Sequence, residues 1–332
     1  PLCLLFGTWP FEGVCLAVSA MPPRRGRNAD EGESWVDEYF RNPGYGPPDG
    51  TIIGLNDEEH FDHVEMLSEK LKDDDVKKRY KAAEALAHYV ADQAFLPDFE
   101  EMEIHPAEVL ASAFMKNVVD RQFCISAARS LAIMGKYAAP YASRALTKVL
   151  THVATDLRWE AVIALRNFGP EAAFEAAGPL GKVAVEDEDA KVRRQALMAL
   201  ADLGPDCAQF AGKDIAQATT DEDTDVQLMA VRCMKAMSTE MEAEIAGPAI
   251  QKILDDGSQE LRREAMSAIS TIGPALAPHL SVTVARWLRP LPGADMKLRV
   301  LAAEALASMG PAVVYEQEVL LARALKDQPQ EV

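Results

Sequence analysis

From residue 58 to residue 332, apolar positions recur with helical spacing, and the pattern itself recurs. One Leu-like position per unit serves as an anchor: Leu86, Leu131, Leu165, Leu200, Met234, Ile269 and Leu306. The spacings are 45, 34, 35, 34, 35 and 37 residues, a period that suits stacked two-helix units. Four residues before each anchor stands an alanine: Ala82, Ala127, Ala161, Ala196, Ala230, Ala265 and Ala302. The residue just before it is always small: Ala85, Ser130, Ala164, Ala199, Cys233, Ala268 and Ala305. Three residues after it stand Tyr89, Met134, Phe168, Leu203, Met237, Ile272 and Met309, all apolar. These offsets share one helical face. The small residues are expected where helices cross, and the large ones in a core shared between units.

The ends of these helices are marked as clearly. Eleven residues before the anchors stand Asp75, Asp120, Ala154, Asp189, Asp223, Ser258 and Asp295. Asp and Ser are N-cap residues, whose side-chain oxygens satisfy free backbone N–H groups of the first turn. Where Ala154 departs from the pattern, Thr155 is expected to take over. Four residues after the anchors, Gly135, Gly169, Gly204, Gly273 and Gly310 suit a left-handed C-cap. Pro170, Pro205, Pro274 and Pro311 then prevent the helix from continuing. The fifth unit has Ser238 instead, which predicts a less sharply defined turn.

A first helix precedes each of these second helices. The amphipathic candidates are about 59–72, 106–118, 138–153, 173–185, 208–219, 242–255 and 277–289, with an unpaired one at 314–326. The longer first spacing places an insertion around 92–104, with Pro97 and the acids Asp98, Glu100, Glu101 and Glu103. Residues 1–57 read as a mostly irregular tail, rich in Pro and Gly beyond residue 20. Its run Trp35-Val36-Asp37-Glu38-Tyr39-Phe40 reads as a short helix packed over the first unit, the alternative being a linear peptide motif. Residues 1–20 are apolar but lack the positive start of a secretory signal. They read as upstream or leader sequence ahead of Met21, with a signal peptide missing its start as the other reading.

The second-helix pattern, as in Asp189-Ala-Lys-Val-Arg-Arg-Gln-Ala-Leu-Met-Ala-Leu-Ala-Asp-Leu-Gly-Pro205, resembles HEAT repeats. The resemblance covers 58–332 and implies an all-α fold: a right-handed α-solenoid superhelix of about seven helix pairs plus a terminal helix. It also implies a function class, since such solenoids hold protein partners along a curved surface. The unpaired last helix and the absent start Met predict a fragment of a longer repeat protein; otherwise the last helix caps the stack.

Composition narrows the partner. The chain carries 52 Asp and Glu against 34 Lys and Arg, a net charge of -18. That field repels nucleic acid and anionic membrane surfaces and favours a protein or peptide partner, a basic one on charge grounds. The five cysteines form no C-x-x-C pair and read as small, buried thiols of a reducing compartment, which places the chain in the cytoplasm or the nucleus.

Catalytic chemistry is hard to find. The histidines are His60, His63, His88, His105, His152 and His279, and none is followed by Glu. A HEAT-fold enzyme of the deoxyhypusine hydroxylase type would be expected to show paired His-Glu dipeptides for its metal. The bilin lyase type, with its shorter period, offers no distinctive site in this sequence either. No P-loop, dinucleotide fingerprint or nucleophile elbow is present. The expectation is therefore a non-enzymatic scaffold or adaptor with no cofactor.

Two polar sets remain. Seven residues before the anchors stand Arg79, Cys124, Arg158, Arg193, Gln227, Arg262 and Arg299. The expected role is internal, each Arg holding its own interhelix turn, for example by pairing with Asp189 in the case of Arg193. The outward positions of the second helices would line a groove: Arg129, Trp159, Arg166, Arg194, Arg232, Lys235 and Arg263, with Trp159 as the aromatic anchor.

Overall fold

The structure is a computed structural model that describes residues 57–93, 105–238, 240–289, 295–319 and 321–322. The tail with its aromatic run and most of the 92–104 insertion lie outside the described residues. The chain divides into two units, Pro1–Pro48 and Asp49–Val332, and the described residues all lie in the second.

Helices alternate along it as first and second members of pairs. The pairs are α1 Asp57–Lys70 with α2 Val76–Gln93, α3 Pro106–Lys116 with α4 Arg121–Met134, and α5 Ala139–Val149 with α6 Thr155–Phe168. They continue as α7 Ala173–Glu186 with α8 Ala190–Leu203, α9 Ala208–Ala218 with α10 Thr224–Ala236, and α11 Ala243–Asp256 with α12 Gln259–Ile272. Last come α13 Ala277–Arg286 with α14 Met296–Ser308, followed by the short α15 Pro311–Glu316. No strand occurs among the described residues. The terminal helix begins at Pro311 rather than at 314, because proline is favoured in a first helical turn.

The core follows the columns. All seven alanines four residues before the anchors, and all seven anchors, are 0% exposed. Each buried Leu, Ile or Met side chain contributes about 1.5–3 kcal/mol. Second helices pack on the next second helix from α2 through α14, more closely along most of the stack than first helices pack on one another. The second helices are therefore the more tightly packed layer, and that layer is called the inner one below. In the first-helix layer α7 and α9 approach so closely that a Cβ at Gly181 would lie 2.7 Å from Asp214 Oδ2.

The N-caps stand where expected. Asp120 accepts from Phe123 N–H, Asp189 from Lys191, Asp223 from Asp225 and Val226, Ser258 from Leu261 and Asp295 from Lys297. Asp75 accepts from Lys77 N–H at 2.9 Å. Thr155 does not take over for Ala154, since it already lies inside α6, where its backbone is helical; α6 has no side-chain bond from its capping residue. The Asp156 carboxylate accepts from Leu157 N–H instead, at 2.9 Å.

The glycine turns also differ from the expected left-handed cap. Gly204 has φ 103° and ψ 177°, and Gly273 has φ 73° and ψ -134°. The positive φ is there, but ψ is extended, a region that is essentially Gly-only. Gly135 shares this geometry, with φ 58° and ψ -135°, although Lys136 follows it, so the proline accompanies the turn without being its cause. In the fifth unit α10 ends on Met237 with φ -95°, without a positive-φ turn.

Candidate partner-binding surface

The Arg column does more than hold single turns. Arg158 donates from Nη1 to its own turn at His152 O (2.8 Å) and, through Nε and Nη2, to both oxygens of Asp187 in the next unit at 2.7 and 2.9 Å. Arg193 repeats the arrangement: Nη1 donates to Asp187 O at 2.9 Å, and the fork donates to Asp221 at 2.7 and 2.8 Å. The side chains of Arg193 and Asp221 are each 7% exposed. In the first unit Arg79 bonds Asp73 O and, across the interface, Asp120 Oδ2 at 2.8 Å. The Asp187 hydrogen bond, working against burial, holds the Arg158 guanidinium above its ordinary pKa, and Asp221 does the same for Arg193.

The expected Asp189–Arg193 pair does not form, because Asp189 is occupied in capping α8. Arg193 therefore reaches one unit further. Each of these arginines ties its own turn to a carboxylate of the next unit, and the members that depart keep only part of this. Gln227 bonds its turn at Asp221 O (2.7 Å), and Arg262 bonds Leu254 O and Asp255 O while lying over the Trp287 ring at 5.0 Å. The acceptor column was missed in the sequence, although Asp73, His152, Asp187 and Asp221 recur two residues before the caps.

The outward set lies on the layer of second helices, and most of its cations are already engaged. Arg129 donates to Glu160 on the next second helix at 2.9 Å, and Arg166 pairs with Asp202. Arg232 lies 3.5 Å from Glu264, Lys235 donates to Ser267 at 2.7 Å, and Arg263 donates to Asp295 at 2.6 Å. Burial raises the Asp295 carboxyl, but bonds from Arg263 and the Lys297 N–H outweigh it and hold it below the ordinary range. Arg194 is exposed and forms no bond or ion pair with a described residue. Trp159 is half-buried.

The centre of this layer is apolar. The columns that carry the Arg129–Glu160 and Arg232–Glu264 pairs in the second and fifth units carry Ile163, Met198 and Met229 between them. With Trp159 and Leu228 these side chains are half-buried, forming a strip bounded by ion pairs at both ends. The strip is visible in the sequence only once the columns are known to face inward.

The second helices also separate charge. They hold 17 of the chain's 34 Lys and Arg but only 9 of its 52 Asp and Glu. The acidic excess thus lies on the tail, the turns and the first helices. A groove of about 760 Å³ between α5, α6 and α7 is lined by Leu150, His152, Arg158, Pro179 and Val183. Its deepest charges, Arg158 and Asp187, neutralise one another. No cluster of three or more metal-ligating side chains occurs among the described residues.

Comparison with known proteins places this architecture. The family model for HEAT repeats matches residues 177–270. Kap121p superposes with a TM-score of 0.52 at 14% identity, over 83% of this chain and 32% of that one. Kap121p bound to Pho4p gives 0.50 at 14% identity, over 81% and 32%. The CpcE–CpcF complex of phycocyanin lyase from Nostoc sp. PCC7120 gives 0.37 at 19% identity, over 91% and 100%. This chain therefore spans about a third of the length of Kap121p, and at such identities the likeness is one of fold. No curated protein matches the sequence. The seven units in one register, the HEAT-repeat match over residues 177–270 and the architecture shared with Kap121p show an all-α solenoid of stacked helix pairs.

Proposed function

We propose that the chain is a non-catalytic scaffold or adaptor that holds a protein segment along the layer of second helices. The observation that carries this reading is the central strip of Trp159, Ile163, Met198, Leu228 and Met229, set between inter-helix ion pairs. Packing within the repeat does not require large apolar side chains at Ile163 and Met198, because sibling units carry Glu84, Arg129, Arg232, Ser267 and Glu304 in that column. Half-buried methionines on a surface adapt readily to a partner helix or strand. Arg194, with no partner among the described residues, adds a cation for a carboxylate of the bound segment. The Kap121p structure with Pho4p bound is a precedent for a protein ligand on this architecture.

Site-specific photo-crosslinking tests the reading. A crosslinker at position 198 should capture a discrete partner, and Met198→Glu should abolish capture by a crosslinker at position 229. Capture that is equally efficient from exposed Lys252 on α11 would overturn the inner-layer assignment. Stoichiometric iron or zinc in the purified protein would favour an enzyme of the same fold instead.

A further inference from the structure

The first-helix layer carries a second surface that the scaffold reading leaves unused. Three successive units place an aromatic residue at the start of the first helix: Tyr141 on α5, Phe174 on α7 and Phe210 on α9. They are 40%, 77% and 43% exposed. Phe174 and Phe210 meet edge to face, with ring centroids 5.7 Å apart, and present their outer surfaces to solvent. The repeat does not require aromatic rings there, since the aligned positions elsewhere are held by Pro140, Glu175, Gln209, Glu244, Ile245, Pro278 and His279. An exposed aromatic pair with no internal role marks an interaction surface.

Charge says what would cover it. Within four residues of the two phenylalanines the chain carries Glu171, Glu175, Asp206 and Asp214 against the single cation Lys213. Burial and the neighbouring Glu186 push the Asp214 carboxyl above its ordinary range, with Lys182 only partly offsetting them. The next unit adds Glu240, Glu242 and Glu244, all exposed. A second copy of this chain would bring like charge against like on an edge of a -18 protein, and nucleic acid would be repelled outright.

We propose that the Phe174–Phe210 edge is a second docking site, taking a basic segment of another protein that carries an aromatic or aliphatic anchor. The anchor would pack on the paired rings, an Arg or Lys of the segment would lie over a ring face, and neighbouring cations would meet Glu171, Glu175 and Asp206. With the inner strip facing the other way, one chain would then bridge two proteins.

The test uses the full chain and fluorescein-labelled peptides in which one Leu, Phe or Trp is set among Lys and Arg. Anchorless Ala versions and charge-reversed Glu versions serve as comparisons. Basic anchored peptides should bind, more weakly as salt is raised, and the Phe174→Ser/Phe210→Ser variant should lose about thirtyfold in affinity. If that variant fails to fold, Phe174→Gln, at a ring that is 77% exposed, and Glu171→Lys/Glu175→Lys carry the same test. Equal binding by the Phe variant, by Glu peptides or by anchorless peptides, or no binding of any peptide, would overturn the proposal. Self-association in sedimentation that Phe174→Gln abolishes would also overturn it, by making the occupant a second copy.

Discussion

Truncating Arg193 tests whether the inter-unit clamps hold the stack together. Arg193→Ala removes two bonds to Asp221 and one to Asp187 O, all 2.7–2.9 Å long. The Asp221 carboxylate, 7% exposed, would keep only the Asp223 N–H, at 2.8 Å. Breaking a buried ion pair from one side costs roughly 3–5 kcal/mol, because the remaining charge stays buried. Arg193→Gln is milder. Gln227 shows that a glutamine in this column still bonds its own turn, at 2.7 Å, so this variant should lose only the cross-unit part, about 2 kcal/mol. Adding Asp221→Asn removes the stranded charge while leaving an acceptor for the Asp223 N–H, and the double-mutant cycle should show a coupling of about 1.5–3 kcal/mol. Arg129→Ala is the control: its side chain is 64% exposed, so its pair with Glu160 should be worth about 1 kcal/mol or less. Urea unfolding followed by Trp159 and Trp287 fluorescence reads the totals. Because repeat arrays can unfold in segments, hydrogen exchange over 190–236 assigns the loss to α8–α10. An Arg193→Ala cost below about 1 kcal/mol, or no coupling to Asp221, would refute the clamp reasoning.

Other consequences are equally accessible. His105 caps α3 by accepting from Ala107 N–H through Nδ1, so its ring must be neutral, and burial lowers its pKa to about 4. Between its unfolded value of 6.5 and about 4 only the unfolded chain takes up the proton, so stability is full above 6.5 and falls as pH drops through that window. The loss should reach about 3 kcal/mol in chemical denaturation at pH 4, and His105→Asn should flatten it. Gly204→Ala puts a Cβ where nothing lies within 4 Å, yet at φ +103°, so calorimetry should show a purely conformational loss of about 1–3 kcal/mol. Burial pushes the Cys124 and Cys207 thiols up to about 11 and raises Cys233 as well. None of these three should react with an aromatic disulfide reagent until the chain is denatured. Gln227→Arg should lend its unit the clamp it lacks, adding about 0.5–1 kcal/mol and slowing hydrogen exchange across the α10–α12 joint.

Much of the fold was legible because burial in a repeat is local and periodic. A strict alanine column followed by a large apolar column can satisfy only one face of a helix, and both columns are fully buried in every unit. The caps were legible for the same reason, as each acts within three residues of itself. Thr155 misled because an N-cap depends on backbone conformation as well as side-chain chemistry. The glycine turns misled because the chain leaves each glycine with extended ψ straight into the next helix pair, at Gly135 without any proline after it. The candidate surface was legible in part. Placing Arg129, Trp159 and their companions outward on the second helices required only helical phase. That Arg129, Arg166 and Arg263 would spend their charge on neighbouring units did not follow from phase, because Glu160, Asp202 and Asp295 lie 31–36 residues away along the chain.

Sequence alone determined the units: their number, their helices, their apolar faces and the residues that start and stop them. All of these are decided by contacts within a turn or two of helix, where spacing along the chain is a sufficient guide. Tertiary structure decided how one unit meets the next. It alone paired Arg193 with Asp221, engaged most of the inner cations, left Arg194 without a partner among the described residues and brought Phe174 against Phe210. Those outcomes depend on the separation and rotation between stacked units, which arise from the packing of whole helices.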